Sequence, residues 1–127
     1  MSKKEFKFEY PIKSASISVL WTSIGTPLGL SEWFADEVSV TDNNYTFVWE
    51  NFEQEAVLLY AKTNKFIRFQ WLEDAGTDAF FEIEIAKESI TGHLSLIVKD
   101  FAEVEEKDDM ELLWNKQIET LCRKIGI

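Results

Sequence analysis

The sequence predicts an α+β fold in which a long C-terminal helix packs on one antiparallel sheet. Residues 105–125 contain no Gly or Pro, and their apolar side chains recur at three- and four-residue steps. That spacing places the apolar side chains along one face of a helix. Between about residues 37 and 100 the apolar period is two and short turns interrupt it, which indicates successive strands. A sheet with one apolar face needs a cover, and the long helix can supply it.

The N-terminal part predicts one strand followed by two short helices. Charged and aromatic residues alternate over residues 3–10, so a half-buried strand is expected there, with Pro11 at its end. Ser14 is expected to cap a helix that runs to residue 25. A second helix should begin at residue 26 or 27, because proline suits a first helical turn, and end at residue 34. Its apolar side is expected to consist of Leu28, Leu30, Trp33 and Phe34.

Six strands should follow as an antiparallel meander. They are predicted over residues 37–41, 45–50, 54–62, 66–72, 80–87 and 90–100, and the short connections between them indicate antiparallel neighbours. The strand over residues 54–62 carries apolar residues in both phases, so its inward side stays open. In the other long strands one phase is apolar and should face inward. These inward residues are Tyr45, Phe47, Trp49, Ile67, Phe69, Trp71, Phe81, Ile83, Ile85, Leu94, Leu96 and Val98.

Length and charge restrict the classes of partner. Residues 1–127 suffice for a single domain with its own core. The net charge of -10 disfavours nucleic acid and anionic membrane surfaces, which both require a positive patch. No stretch approaches the roughly 20 apolar residues of a membrane span, so no membrane insertion is expected. The N-terminus has charges where a signal peptide needs an apolar run, and Cys122 is the only cysteine. A cytoplasmic location is therefore predicted.

Two motifs resemble a known superfamily. Residues 16–36 place a helix with an apolar-x-x-Leu-Trp pattern, formed by Ile17, Leu20 and Trp21, before the segment Thr26-Pro27-x-x-Leu30-x-x-Trp33. The C-terminal helix carries the spacing Trp114, Ile118, Leu121. With the order of elements over the whole chain, these motifs resemble the START-like or SRPBCC superfamily. The match is best with small bacterial members of the branch related to activators of a heat-shock ATPase.

The resemblance implies the helix-grip fold, also called Bet v 1-like, in which a curved sheet grips the long helix. It also implies a space between helix and sheet that often binds an apolar ligand. Either the aromatic side chains there line a pocket, or they fill a packed core, because most apolar stripes are simply core. The residues expected around this space are Trp33, Phe34, Phe47, Trp49, Phe69, Trp71, Phe81, Ile83, Trp114 and Ile118.

The sequence offers no constellation for catalysis, and neither a metal nor a cofactor is expected. His93 is the only histidine. It is expected to lie solvated on the outward phase of its strand, without metal-ligand spacing to any partner. Cys122 has no neighbouring base and should be a small buried hydrophobe. Glu82 and Glu84 share the wet phase, where solvated charge is expected.

Arg68 has two interpretations. It should face outward and pair with Glu82 or Glu84 across the sheet. A one-residue register slip would instead turn it inward, as an anchor for a ligand carboxylate.

Three functional hypotheses follow. The first is a non-enzymatic module that binds a small hydrophobic molecule between helix and sheet. The alternative is a protein-interaction or chaperone-helper domain with a filled core, which could act as a homodimer. An enzyme acting on a small hydrophobic molecule comes third, because the residues of a catalytic base or metal site are missing.

Overall fold

The computed structural model describes residues 3–127 and confirms the predicted α+β architecture. Within these residues, seven strands form one antiparallel sheet in the order β1-β7-β6-β5-β4-β3-β2. Short 3₁₀ turns occupy Leu72–Asp74 and Val104–Glu106. The elements are β1 (Lys4–Ile12), α1 (Ile17–Gly25), α2 (Pro27–Trp33), β2 (Glu37–Thr41), β3 (Asn44–Trp49), β4 (Phe52–Lys62), β5 (Phe66–Trp71), β6 (Phe81–Lys87), β7 (Leu94–Ala102) and α3 (Lys107–Ile125).

Strand β1 runs two residues past the predicted end. Pro11 lies inside the strand opposite Ser95, and Ile12 beyond it is buried. The prediction that Pro11 ends the strand was wrong because β1 is an edge strand that pairs only with β7. Proline is tolerated at a sheet edge, where its missing N–H need not reach a neighbouring strand.

Helix α1 begins later than predicted. Ser14 adopts the left-handed conformation, with φ 59°, so it is not the N-cap. That role belongs to Ser16, whose Oγ accepts a hydrogen bond from the Val19 backbone N–H at 3.2 Å. From this start the helix buries Leu20 and Ile24 completely.

Helix α2 is held tightly against α1. The Thr26 hydroxyl oxygen accepts a hydrogen bond from the Gly29 N–H at 3.0 Å, so Thr26 is the N-cap, and Pro27 follows at the first helical position. A Cβ at Gly29 would lie only 1.9 Å from the Thr22 carbonyl oxygen, so only glycine allows this approach. Leu28 is 76% exposed, and its predicted place on the apolar side was wrong. Side chains two residues apart, like Leu28 and Leu30, do not share a helix face.

The strand phases predicted from the sequence are confirmed. Of the twelve predicted inward residues, ten are buried, and Trp49 and Trp71 are partly buried. The mixed pattern of β4 has a structural cause, because its pairing with β5 shifts between Leu58 and Tyr60. A bulge at that point reverses the phase within one strand.

Strand β7 starts later than predicted. The segment before it is a turn in which the Glu88 carboxylate accepts hydrogen bonds from the backbone N–H groups of Ile90 and Thr91. Ile90 is 90% exposed, and Gly92 takes a positive φ of 76°. His93 is exposed, as expected, but it precedes the strand instead of lying within it. A side chain that caps its own turn competes with strand pairing, and this local bonding was not visible in the period-two pattern.

Helix α3 carries the predicted apolar stripe. It begins at Lys107, after the 3₁₀ turn, and Gly126 ends it in the left-handed conformation, with φ 85°. Trp114, Ile118 and Leu121 are buried against the sheet. Among residues 3–127, no helix is long and apolar enough to cross a membrane.

The outer face of the sheet contains a buried carboxylate. Glu82 is only 4% exposed, so its predicted solvation was wrong. Arg68 faces outward as predicted, and its Nε donates to the Glu82 carboxylate at 2.8 Å. The Lys99 Nζ lies 3.6 Å from the same carboxylate, and the Arg68 guanidinium covers the Phe80 ring at 4.1 Å. The cations and the ring shield Glu82 from water, because long basic side chains lie along the sheet surface.

Candidate functional site

A cavity of about 460 Å³ lies between α3 and one end of the sheet. This volume is within the range of small-molecule sites, roughly 300–1,000 Å³. The ends of four neighbouring strands converge there, because β3 and β5 end where β4 and β6 begin. The residues that line it are Phe34, Trp49, Phe52, Gln54, Trp71, Phe81, Asp100, Met110, Leu113, Trp114 and Gln117.

Aromatic rings form most of the cavity wall. Trp71 stacks on Phe81 with ring centroids 4.8 Å apart, and Trp49 stacks on Phe52 at 4.9 Å. Trp114 lies 6.3 Å from Phe81 and closes the wall from the helix side. Rings held by stacking keep fixed orientations, so the cavity is largely preformed.

Hydrogen bonds fix two of the three indoles that line the cavity, those of Trp49 and Trp114. The Trp49 Nε1–H donates to the Phe34 carbonyl oxygen at 3.0 Å, and the Gln117 Nε2 donates to the same oxygen at 3.1 Å. The Trp114 Nε1–H donates to the Asp100 carboxylate at 2.8 Å. A partly buried indole needs such a partner, and each bond also sets the direction of its ring.

Asp100 is the ionisable group of the cavity. It lies in the inward phase of β7, and its carboxylate accepts hydrogen bonds from the Trp114 indole and from the Phe101 backbone N–H at 2.7 Å. Burial raises the pKa of Asp100 to about 6, although these two hydrogen bonds favour the ionised form. At neutral pH the group is therefore mostly a carboxylate. Sequence reasoning missed it, although Asp100 follows Leu96 and Val98 in the same phase.

Of the ten residues predicted around this space, five line the cavity: Phe34, Trp49, Trp71, Phe81 and Trp114. The other five are buried in the core beside it: Trp33, Phe47, Phe69, Ile83 and Ile118. Trp33 is turned away by a hydrogen bond from its Nε1–H to the Ser23 carbonyl oxygen at 2.8 Å. The sequence pattern identifies inward residues but does not separate those that touch a void from those that touch other side chains.

The other residues that line the cavity were harder to predict from the sequence. Met110 belongs to the apolar stripe of α3, and Leu113 and Gln117 flank that stripe. Phe52 and Gln54 lie at the start of β4, the strand whose inward side the sequence left open.

The chemistry of other candidate sites is limited. In the part of the chain that the structure describes, no group of three His, Cys, Asp or Glu residues could hold a metal ion. Cys122 is a free thiol, and burial raises its pKa, which disfavours the reactive thiolate. A larger groove of about 930 Å³ lies between the end of β1 and the turn before β7, but mostly exposed residues line it.

Comparisons with known proteins agree with this architecture. A protein of Bacteroides fragilis with a solution NMR structure is 37% identical, with a TM-score of 0.69, over 100% of this chain and 94% of that one. An Aha1 from Colwellia psychrerythraea is 13% identical with a TM-score of 0.75, over 93% of this chain and 92% of that one. CalU16 of Micromonospora echinospora is 13% identical with a TM-score of 0.74, over 98% and 75%. The last two likenesses show the fold alone.

No curated protein matches this chain. The family model of the START-like superfamily domain matches residues 1–127, which is the full length of the sequence. This match agrees with the resemblance of the two sequence motifs and with the observed helix-grip arrangement of sheet and C-terminal helix. The chain therefore belongs to the START-like superfamily.

Proposed function

We propose that this protein is a non-enzymatic binding module that takes one small hydrophobic molecule into the cavity between α3 and the sheet. The observation that carries the proposal is a ring-walled space of about 460 Å³ beside a closely packed core. Unfilled apolar space forfeits dispersion contacts and lowers stability. A ligand that occupied the space would restore those contacts, and the START-like fold supports a ligand-binding or helper role.

A neutral apolar fluorophore provides the test. N-phenylnaphthylamine should bind with a stoichiometry near one, quench Trp emission and brighten its own, because three of the lining residues are indoles. Met110→Trp should abolish binding, since Met110 lines the cavity and a larger ring there would occupy it. The parent, Met110→Trp and a control variant are titrated over the micromolar to millimolar range, and their thermal unfolding is followed by circular dichroism.

Leu112→Trp is the matched control. Leu112 lies on the same helix, is 61% exposed and does not line the cavity, so the same new ring should leave binding unchanged. The proposal is wrong if the parent fails to bind the probe, or if the folded Met110→Trp protein binds it as well as the Leu112→Trp protein does.

A second proposal is a protein-interaction or chaperone-helper role, which a homodimer would also serve. Leu112 and Leu113 are adjacent on α3 and 61% and 57% exposed, and Val104 before the helix is 59% exposed. Adjacent exposed apolar side chains are a common feature of interaction surfaces. The related Colwellia structure is that of an Aha1 dimer. Native mass spectrometry over a range of concentrations would separate a self-associating chain from a monomer that retains a ligand.

A further inference from the structure

Three polar side chains of the cavity, Gln54, Asp100 and Gln117, have acceptor oxygens that can face a ligand. Of the three indoles that line the cavity, Trp49 and Trp114 have their N–H groups bonded to the Phe34 carbonyl oxygen and to Asp100, whereas among residues 3–127 the Trp71 N–H has no hydrogen-bond partner. The Gln54 Nε2 donates to the Glu73 carboxylate at 2.6 Å, and the Gln117 Nε2 donates to the Phe34 carbonyl oxygen. Glu73 and the carbonyl can only accept, so they orient both amides with nitrogen toward them. The amide oxygens of Gln54 and Gln117 are then free to face a ligand, as are the remaining lone pairs of Asp100.

Asp100 forms no hydrogen bond with a positively charged group within the described residues. Its two partners among residues 3–127 are neutral N–H groups, of Phe101 and Trp114. The other charged groups that face it are Lys3 and Asp74, which form an ion pair at 3.0 Å and act on Asp100 in opposite directions. Among the residues that the structure describes, no lysine or arginine lines the cavity. A partly buried carboxylate in these surroundings attracts a cation.

The aromatic walls of the cavity also favour a positively charged ligand. The face of an aromatic ring carries negative electrostatic potential, and rings together with a carboxylate hold ammonium ions in known binding sites. Trp49, Trp71 and Trp114 supply such rings around the cavity. The net charge of -10 raises the local concentration of cations and lowers that of anions.

We propose that the cavity selects a hydrophobic ammonium ion, whose N–H groups bond Asp100 and whose apolar part packs against the rings. This inference rests on the proposed binding function and names its ligand class. A carboxylate ligand of the same size would meet the like charge of Asp100, with no lysine or arginine among the described lining residues to offset it. A neutral alcohol could donate one hydrogen bond but would gain nothing from the charge of Asp100.

Three probes with one alkyl chain separate these cases: octylamine, octanol and octanoate. Isothermal titration calorimetry at about pH 7.5 compares them, because both Asp100, with its pKa of about 6, and the amine are then charged. Octylamine should bind at least tenfold more tightly than octanol, and octanoate should bind most weakly. Asp100→Asn should lower the affinity for octylamine at least tenfold and leave the affinity for octanol nearly unchanged.

Glu119→Gln is the control for the lost charge, since Glu119 is exposed on α3 and does not line the cavity. It should bind all three probes as the parent does. If Asp100→Asn does not fold, the parent is titrated at about pH 5, where octylamine should bind several-fold more weakly and octanol should not change.

Each outcome has a distinct meaning. Equal affinity for octanol and octylamine in the parent would overturn the selectivity for ammonium ions and leave the proposed binding function standing. The same holds if Asp100→Asn binds octylamine as the parent does. Failure of all three probes and of N-phenylnaphthylamine would overturn the proposed function itself.

Discussion

The inner face of the sheet carries large apolar side chains at both of its ends. At one end, called the solid end, these side chains pack against each other in the core; at the other, called the hollow end, they line the cavity. On β3, Phe47 is fully buried, whereas Trp49, two residues later, lines the cavity. On β5, Phe69 and Trp71 differ in the same way. At the solid end the rings interlock, with Tyr45 at 4.8 Å from Phe69 between centroids.

The difference between the two ends comes from the elements that lie over the sheet and not from the strands. Helix α1 packs on β5 and β6, its Leu20 and Ile24 are fully buried, and none of its residues lines the cavity. At the hollow end the cover consists of α3 and Phe34, and their side chains leave space. Whether an inward side chain belongs to a core or to a binding site therefore depends on which element lies opposite it.

The largest expected effect tests the solid end against the hollow one. Phe47→Ala should lower the free energy of unfolding by about 3–5 kcal/mol, since a large void opens among packed rings. Trp49→Ala should cost less than about 2 kcal/mol, because Trp49 borders an existing cavity. The Phe34 carbonyl oxygen would also keep its bond from Gln117. Urea unfolding of both variants measures the two losses, and equal losses would contradict the distinction.

The next effect concerns the carboxyl group of the hollow end. Asp100 has a pKa of about 6 in the fold against 3.8 as its ordinary value. The folded state therefore binds this proton more tightly, so the contribution of Asp100 to the free energy of unfolding falls as pH rises from about 4 to about 6. The total change is about 3 kcal/mol, since one pKa unit corresponds to about 1.4 kcal/mol. Above pH 6 the unfavourable contribution stays constant.

Urea unfolding of the parent and of Asp100→Asn between about pH 4 and pH 7 measures this change. The difference between the two proteins removes the titration of all other groups, and the stability of the variant relative to the parent should rise with pH. Glu119→Gln, which removes an exposed carboxylate, is measured beside them as the control. A constant difference between Asp100→Asn and the parent would show that the carboxyl group is not buried as described.

The smallest expected effect uses a ring added to the solid end. Ile83 is fully buried at the middle of β6 and does not line the cavity, so Ile83→Trp should cost about 1–3 kcal/mol through overpacking. Its folded fraction should still bind N-phenylnaphthylamine. Urea unfolding and probe titration check both expectations. Loss of probe binding in a fully stable Ile83→Trp protein would mean that the void extends to β6.

The sequence by itself determined the class of fold, the order of the elements and the inward face of the sheet. These follow from local rules: period two assigns strand faces, and three- and four-residue steps assign the helix stripe. The motifs around Trp21, Trp33 and Trp114 also indicated the superfamily. The errors at Ser14 and Ile90 concern segment ends, where one side-chain hydrogen bond moves a boundary by several residues.

Only the tertiary structure decided which inward residues form the cavity. Phe69 and Trp71 have the same phase, strand and character in the sequence, and they differ because α1 packs on one part of the sheet and not on another. The structure likewise identified Asp100, since its position opposite Trp114 depends on how α3 lies across β7. Which helix lies over which part of the sheet depends on elements that are distant in the chain. No local pattern of residues encodes this arrangement.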